Sequence, residues 1–216
     1  MGSEVGRPAA EAGPWAWEAC LAAGEAGAWA LAAGGGVGGG GRMPATAAEL
    51  EAWLTGYQTR WLVAREWPVV LAAWGHAQRG EARELAALDR AWGGELGGHP
   101  WAEASLHVGR RQLNRLRPLR DLRVVQRLVA AVDSGAAAGW HPVVYGVMLS
   151  AFCLPLRQGL MHYATQTLTG LADRVPASAQ LTEGHRRAIL EGALGSLSPA
   201  LAPWLPGTAG DGLALA

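Results

Sequence analysis

The chain contains no lysine; all 18 of its basic side chains are arginine. A Walker A loop needs a lysine to reach the nucleotide phosphates, and Schiff-base or pyridoxal chemistry needs one as its amine. Both classes are excluded on that ground. Cysteine is nearly as scarce. Cys20 and Cys153 stand far apart with no CxxC pair, which fits a reduced, cytoplasmic protein and offers no thiolate cluster. An excess of one charge is lacking too, because 18 acidic residues balance the arginines. That balance gives the whole molecule no drive toward nucleic acid or a membrane surface. Long hydrophobic runs are absent: the longest, Val143 to Leu156, falls short of the about 20 residues that span a bilayer. The opening MGSEVGRPAAEAG has no basic stretch followed by an apolar one, so no secretory signal is read there.

The usual catalytic patterns are missing as well. None of the six histidines forms HxxxH or HExxH, and no serine or cysteine sits in a GxSxG turn. Glu103 and His107, four apart, would share a helix face and could supply two metal ligands, but a surface pair is the simpler reading. His162, beside Tyr163 in an apolar helix, reads as a hydrogen-bonded core or interface histidine. Cys153, ahead of Leu154–Pro155, reads as an inert thiol in apolar surroundings.

What is present points to helices. Half of the 216 residues are hydrophobic, and a chain of this length buries roughly 70% of its extended surface without disulfide or metal. Thr46 with Glu49 forms a capping box, followed by an apolar stripe of Leu50, Trp53, Leu54, Tyr57, Trp61 and Leu62 at helical spacing. Pro68 predicts a break or kink before a helix over Val69–Gln78. Further helices are predicted over 81–92, 102–116, 119–132, 142–152, 155–173 and 183–197, with a loop over 93–100. No segment alternates with period two. The fold class is all-α, a single-domain helical bundle of about eight to ten helices. Residues 1–13 are predicted disordered, 14–197 form the helical domain, GGGVGGGG at 34–41 is a flexible loop, and 198–216 is a mobile tail. Of the eleven tryptophans, Trp53, Trp61, Trp67, Trp74 and Trp92 lie on or near helix stripes and read as core or interface packing.

One charge feature stands out. Residues 110–127 hold Arg110, Arg111, Arg115, Arg117, Arg120, Arg123 and Arg127 against Asp121 alone. The band reads either as a solvated helix face or as a docking surface for an acidic partner or phosphate, because guanidinium forks match carboxylates. No aromatic is interleaved for base stacking, which argues against nucleic acid.

Several segments, in order, resemble the UreF-type urease accessory proteins. TAAELEAWL (46–54) opens a helix; ARE-W-PVVLAAW (64–74) is similar to the family's acidic-x-Pro start, with Glu66 and Pro68 in place. EASLHVGRRQLNRL (103–116) keeps a Ser-xxx-Gly-xxx-Leu pattern at Ser105, Gly109 and Leu113. HPVVYGVMLSAFCLPLRQGLMHYATQTLTGL (141–171) resembles its Pro-Val-xx-Gly helix, Leu-Pro-Leu restart and tyrosine-bearing helix. TEGHRRAIL (182–190) looks like its Thr-x-Gly-Gln-Arg segment, with His185 where Gln is usual. The family's opening signature falls on Gly24–Gly36, where Gly27, Trp29 and Gly34 stand for its Gly, aromatic and Gly positions while its Pro, Ser and final Glu are missing.

The resemblance implies a non-catalytic, dimerising helical scaffold with no resident cofactor or metal. It implies binding of a UreD/UreH-type accessory protein and a UreG-type GTPase, supporting GTP-dependent nickel insertion into apo-urease in the cytoplasm. With the arginine band added, the partner-binding candidates are Trp29, Gly34, Glu66, Arg110, Arg111, Tyr163, Arg174 and His185. The alternatives are a diverged helical interaction module without a urease role, or an unrecognised metal binder using Glu103 and His107.

Overall fold

The computed structural model describes residues 44–96, 102–175 and 180–204. Trp29, Gly34, the stretch 1–13, the glycine tract and the chain beyond residue 204 lie outside the described residues. The first helix begins as its cap dictates. The Thr46 hydroxyl accepts the Glu49 N–H at 3.3 Å, and the Glu49 carboxylate accepts the Thr46 N–H at 3.2 Å. Helix α1 (Ala47–Tyr57) then runs without interruption into a π-helical segment, Gln58–Glu66, and on into α2 (Trp67–Gln78). The expected break at Pro68 is thus absorbed inside one continuous rod. A proline ring clashes with the carbonyl four residues back. Here the preceding turns have widened to bonds across five residues, as the Trp67 N–H to Leu62 C=O bond records, leaving the ring room.

Helix α3 (Ala82–Leu96) continues through Gly93 and Gly94, where a loop was expected, because Trp92 and Leu96 are buried and their burial outweighs the local glycine penalty. Helix α4 (Ala102–Leu116) has the predicted limits. Helix α5 (Arg123–Asp133) starts later than predicted, since Pro118 leaves residues 117–122 in successive tight turns. Helix α6 (His141–Ala151) carries Pro142 in its first turn, where no N–H is needed. Helices α7 (Leu156–Arg174), α8 (Glu183–Gly195) and α9 (Leu197–Leu201) follow, with a final 3₁₀ turn over Ala202–Trp204. Residues 198–204, read from sequence as the start of a mobile tail, are helical here. Leu197 and Leu201 are both fully buried, worth roughly 1.5–3 kcal/mol each, enough to hold a short helix down.

The architecture is all-α, with no β-strand among the described residues. With the 47–78 rod taken as one helix and the short final turns set aside, the described residues hold seven helices against the eight to ten expected. Helix α6 is the axis of the bundle: every residue from His141 to Leu149 is buried. It packs chiefly on α2 and α4. A Cβ on Gly146 would lie 2.4 Å from the Val70 carbonyl, so α2 and α6 cross with their backbones nearly touching. Trp53, Trp67 and Trp92 are buried, and Trp61 and Trp74 are half-buried against the same core, as their stripe positions predicted. No helix among the described residues is long and apolar enough to cross a membrane.

Candidate functional site

All three tyrosines of the chain meet inside the bundle around one carboxyl and one imidazole. Tyr57, Glu66, His141, Tyr145 and Tyr163 are each at most 1% exposed. Tyr57 donates its hydroxyl to Glu66 Oε1 at 2.8 Å. The rings of His141 and Tyr163 stack at 4.7 Å, and Tyr145 meets both edge-on, at 5.8 Å from His141 and 5.0 Å from Tyr163. Tyr145 is anchored in turn by donating to the Gly159 carbonyl at 2.9 Å.

The π segment is what brings the first pair together. Tyr57 and Glu66 are nine residues apart. In an α-helix that is about two and a half turns, which would point them to opposite sides. Widening to roughly four and a half residues per turn makes the same interval about two turns and puts both on one face. The buried positions show the change of period: 50, 53, 54 and 57 before the segment, 57, 58, 62, 66 and 67 across it, and 70, 73 and 77 after it.

Burial sets the electrostatics. Desolvation raises Glu66 from 4.5 to about 7, against the lowering effect of hydrogen bonding from Tyr57 and Tyr163. The Tyr163 hydroxyl faces this carboxyl without reaching full bonding geometry, so it and Glu66 Oε2 are buried without a close partner. Desolvation also lowers His141 to about 3 and pushes all three tyrosines up, keeping imidazole and phenols neutral near pH 7. The cluster therefore holds a carboxyl that stays partly protonated near neutral pH, enclosed between the rod, α6 and α7.

A second set of contacts fixes the turn leading into α6. The fully buried Asp89 carboxylate accepts the N–H groups of Ala138, Gly139 and Trp140, the last at 2.8 Å. Arg90 and Arg110 hold the outer carbonyls of the same turn, at Ala136 (2.8 Å) and Ala138 (3.0 Å). Gly109 of α4 is pressed against it, since a Cβ there would lie 2.1 Å from the Gly139 carbonyl and 2.6 Å from the His141 nitrogen. His141, at the start of α6, is delivered to the tyrosines by this clamp.

The sequence-derived candidates thus separate. Glu66 and Tyr163 come together in the buried cluster. Arg110 and Arg111 are exposed on α4, and Arg110 spends one N–H on the turn. Arg174 ends α7, and His185 is exposed in the first turn of α8. Arg186, next to it, is the buried member of that motif. It donates to the Ala172 and Val175 carbonyls at 3.1 and 2.7 Å and closes the end of α7. Two expected environments are corrected. His162 is exposed, which removes the core half of its core-or-interface reading, because Tyr163 takes the inward position of that helix. Cys153 is exposed with φ +52° in the turn between α6 and α7, not in apolar surroundings. Glu103 and His107 are both exposed, and the described residues contain no group of three or more His, Cys, Asp or Glu placed to hold a metal.

A family model matches this chain over residues 45–173, more than half of its length and covering the rod, the turn held by Asp89 and the tyrosine cluster. The model is that of UreF. The chain belongs to the UreF family. It is a protein of the urease accessory type. No curated protein and no solved structure matches it. Within this UreF-family chain the motifs acquire physical causes. Gly109, centre of the Ser-xxx-Gly-xxx-Leu pattern, admits the turn before α6. Glu66 and Pro68, the acidic-x-Pro start, are the end of the π segment and the proline it accommodates.

Proposed function

We propose that this protein is a non-catalytic scaffold in urease maturation. It holds a UreD/UreH-type accessory protein and a UreG-type GTPase while nickel is passed, at the expense of GTP, to apo-urease in the cytoplasm. The observation that carries this reading is the UreF match over residues 45–173. The fold agrees with such a role. The ionisable cluster is enclosed in the core, while the exposed arginines of α4 and α5 and the exposed His185 are available to other proteins. Arg side chains and half-buried tryptophans are the groups enriched at protein interfaces. Nickel is cargo in this reading, and a homodimer is the form expected to bind the partners.

Partner contacts are assigned to Trp29, Gly34, Arg110, Arg111, Arg174 and His185, with Glu66 and Tyr163 shaping the surface from within. The test is co-purification with UreD/UreH- and UreG-type proteins, followed by nickel quantification in urease from a deletion strain. Apo-urease that is made but poor in nickel is expected. Normal nickel loading rejects the reading and leaves a helical interaction module of another system. That second reading is favoured by one observation, the start of the family match at residue 45, after the diverged signature at 24–36.

A further inference from the structure

The two halves of the long rod answer to different neighbours. Helix α2 packs on α6 and α3, whereas α1 packs chiefly on α8. Between them lies the π segment, a rare form of helix that usually persists for a single turn and here runs for nine residues. Tyr57 and Glu66 stand at its two ends, and the bond between them ties α1 back across it.

Glu66 lacks the partners that keep a buried carboxylate ionised. Among the described residues it takes no ion pair and no backbone N–H; one oxygen accepts from Tyr57 and the other has no close partner. The titratable groups around it are Tyr57 from the rod, His141 and Tyr145 from α6 and Tyr163 from α7, all neutral near pH 7. Arg60 and Arg65 of the π segment are exposed to solvent. Buried Arg186 is bonded to the Ala172 carbonyl, about 14 Å along α7 from Tyr163, and buried Asp89 is taken up by the turn before α6. A dry carboxyl with no cation beside it favours its neutral form.

We propose that Glu66 is a proton-operated latch. Protonated, it holds α1 closed across the π segment; ionised, it lets α1 swing out about that segment while α6 and α7 stay packed. The contacts divide accordingly. Helix α7 is held to α6 by the Tyr145–Gly159 bond, and a Cβ on Gly159 would lie 2.5 Å from Leu149. Helix α8 is held to α7 by Arg186. Opening of α1 breaks the Tyr57–Glu66 bond and the 2.7 Å bond from Gln58 to the Ser196 hydroxyl. It also uncovers Ile189 and Ala193 of α8 along the seam they share with Thr55.

Linkage sets the sign and the size. Glu66 titrates at about 7 when closed and near 4.5 in water, so opening becomes easier as pH rises between those values and levels off above them. The opening constant should rise about 40-fold from pH 5 to 7. His141 remains dry on α6 during this motion and does not oppose it. Complete unfolding hydrates His141 as well, whose opposite slope reduces the same change to less than about threefold.

Native-state amide exchange of the full chain tests this, with protection taken relative to the unfolded-peptide rate at each pH. Protection at Trp53, Leu54 and Tyr57 should fall about 40-fold from pH 5 to 7, while that at Val147, Met148 and Leu149 of α6 changes by less than about threefold. Glu66→Gln should make the α1 profile flat. Glu66→Met, of similar length and without a charge, should do the same and serves if the Gln variant does not fold. Protection of α1 that is independent of pH in the native chain overturns the latch. So does a loss shared equally by α1 and α6, or a slope at α1 that survives in the variants.

Discussion

Glu66→Gln keeps an acceptor for Tyr57 and removes an ionisation. In the native fold, burial lifts Glu66 from 4.5 to about 7. Between those values the folded chain retains a proton that the unfolded chain has released, so stability falls as pH rises. The contribution of the neutral carboxyl is complete below 4.5, declines through the interval and is gone above about 7. At 1.36 kcal/mol per unit, the whole excursion is about 3 kcal/mol. His141 works the other way. Its pKa is lowered from 6.5 to about 3, so its contribution is complete above 6.5 and is lost as pH falls toward 3. From pH 4.5 to 6.5 the two slopes oppose each other and nearly cancel in the native chain. The Gln variant should unmask the histidine, its stability rising by roughly 1.4 kcal/mol per pH unit across that window. Urea unfolding followed by tryptophan fluorescence from pH 4.5 to 8 measures both proteins. The stability difference should shift by about 3 kcal/mol in favour of the variant between the two ends. A difference constant to within about 1 kcal/mol refutes a buried carboxyl that keeps its proton toward neutral pH.

Two other perturbations separate backbone contact from composition. Gly109→Ala places a methyl group against the Gly139 carbonyl and should cost roughly 3 kcal/mol or more, whereas Gly192→Ala, with no atom within 4 Å, should gain roughly 0.5–1 kcal/mol. Equal effects in urea unfolding would show that the α4 contact is slack. Asp89→Ala strips three successive N–H groups of their acceptor, at roughly 1–3 kcal/mol for each donor that stays buried. Amide exchange should speed up at residues 138–140 while α8 keeps its protection, and unchanged exchange at the turn would remove Asp89 from the clamp.

Much of the bundle is legible one helix at a time. The capping box at Thr46, the limits of α4 and the proline in the first turn of α6 follow from contacts within a few residues, which is why they are visible in the chain alone. The misjudged boundaries all involve a distant partner. Gly93 and Gly94 stay helical because Leu96 is buried, and residues 198–204 stay helical because Leu197 and Leu201 are. The site is legible only in part. The family resemblance marks Glu66 and Tyr163, but Asp89 and the turn it holds are 49 to 51 residues apart, and no local pattern announces such a bond. His141 and Arg186 carried a weak local signal as members of quoted motifs.

The amino-acid order alone settled what depends on residue type and short spacing: no lysine chemistry, no thiolate cluster, an all-helical chain and the UreF resemblance. Tertiary structure decided which polar groups are taken out of water. A helix face is defined only once its period is known, and the rod changes period between Gln58 and Glu66. Only after that change do Tyr57 and Glu66 face the same way, and only when α6 and α7 pack on the rod do His141, Tyr145 and Tyr163 close around them.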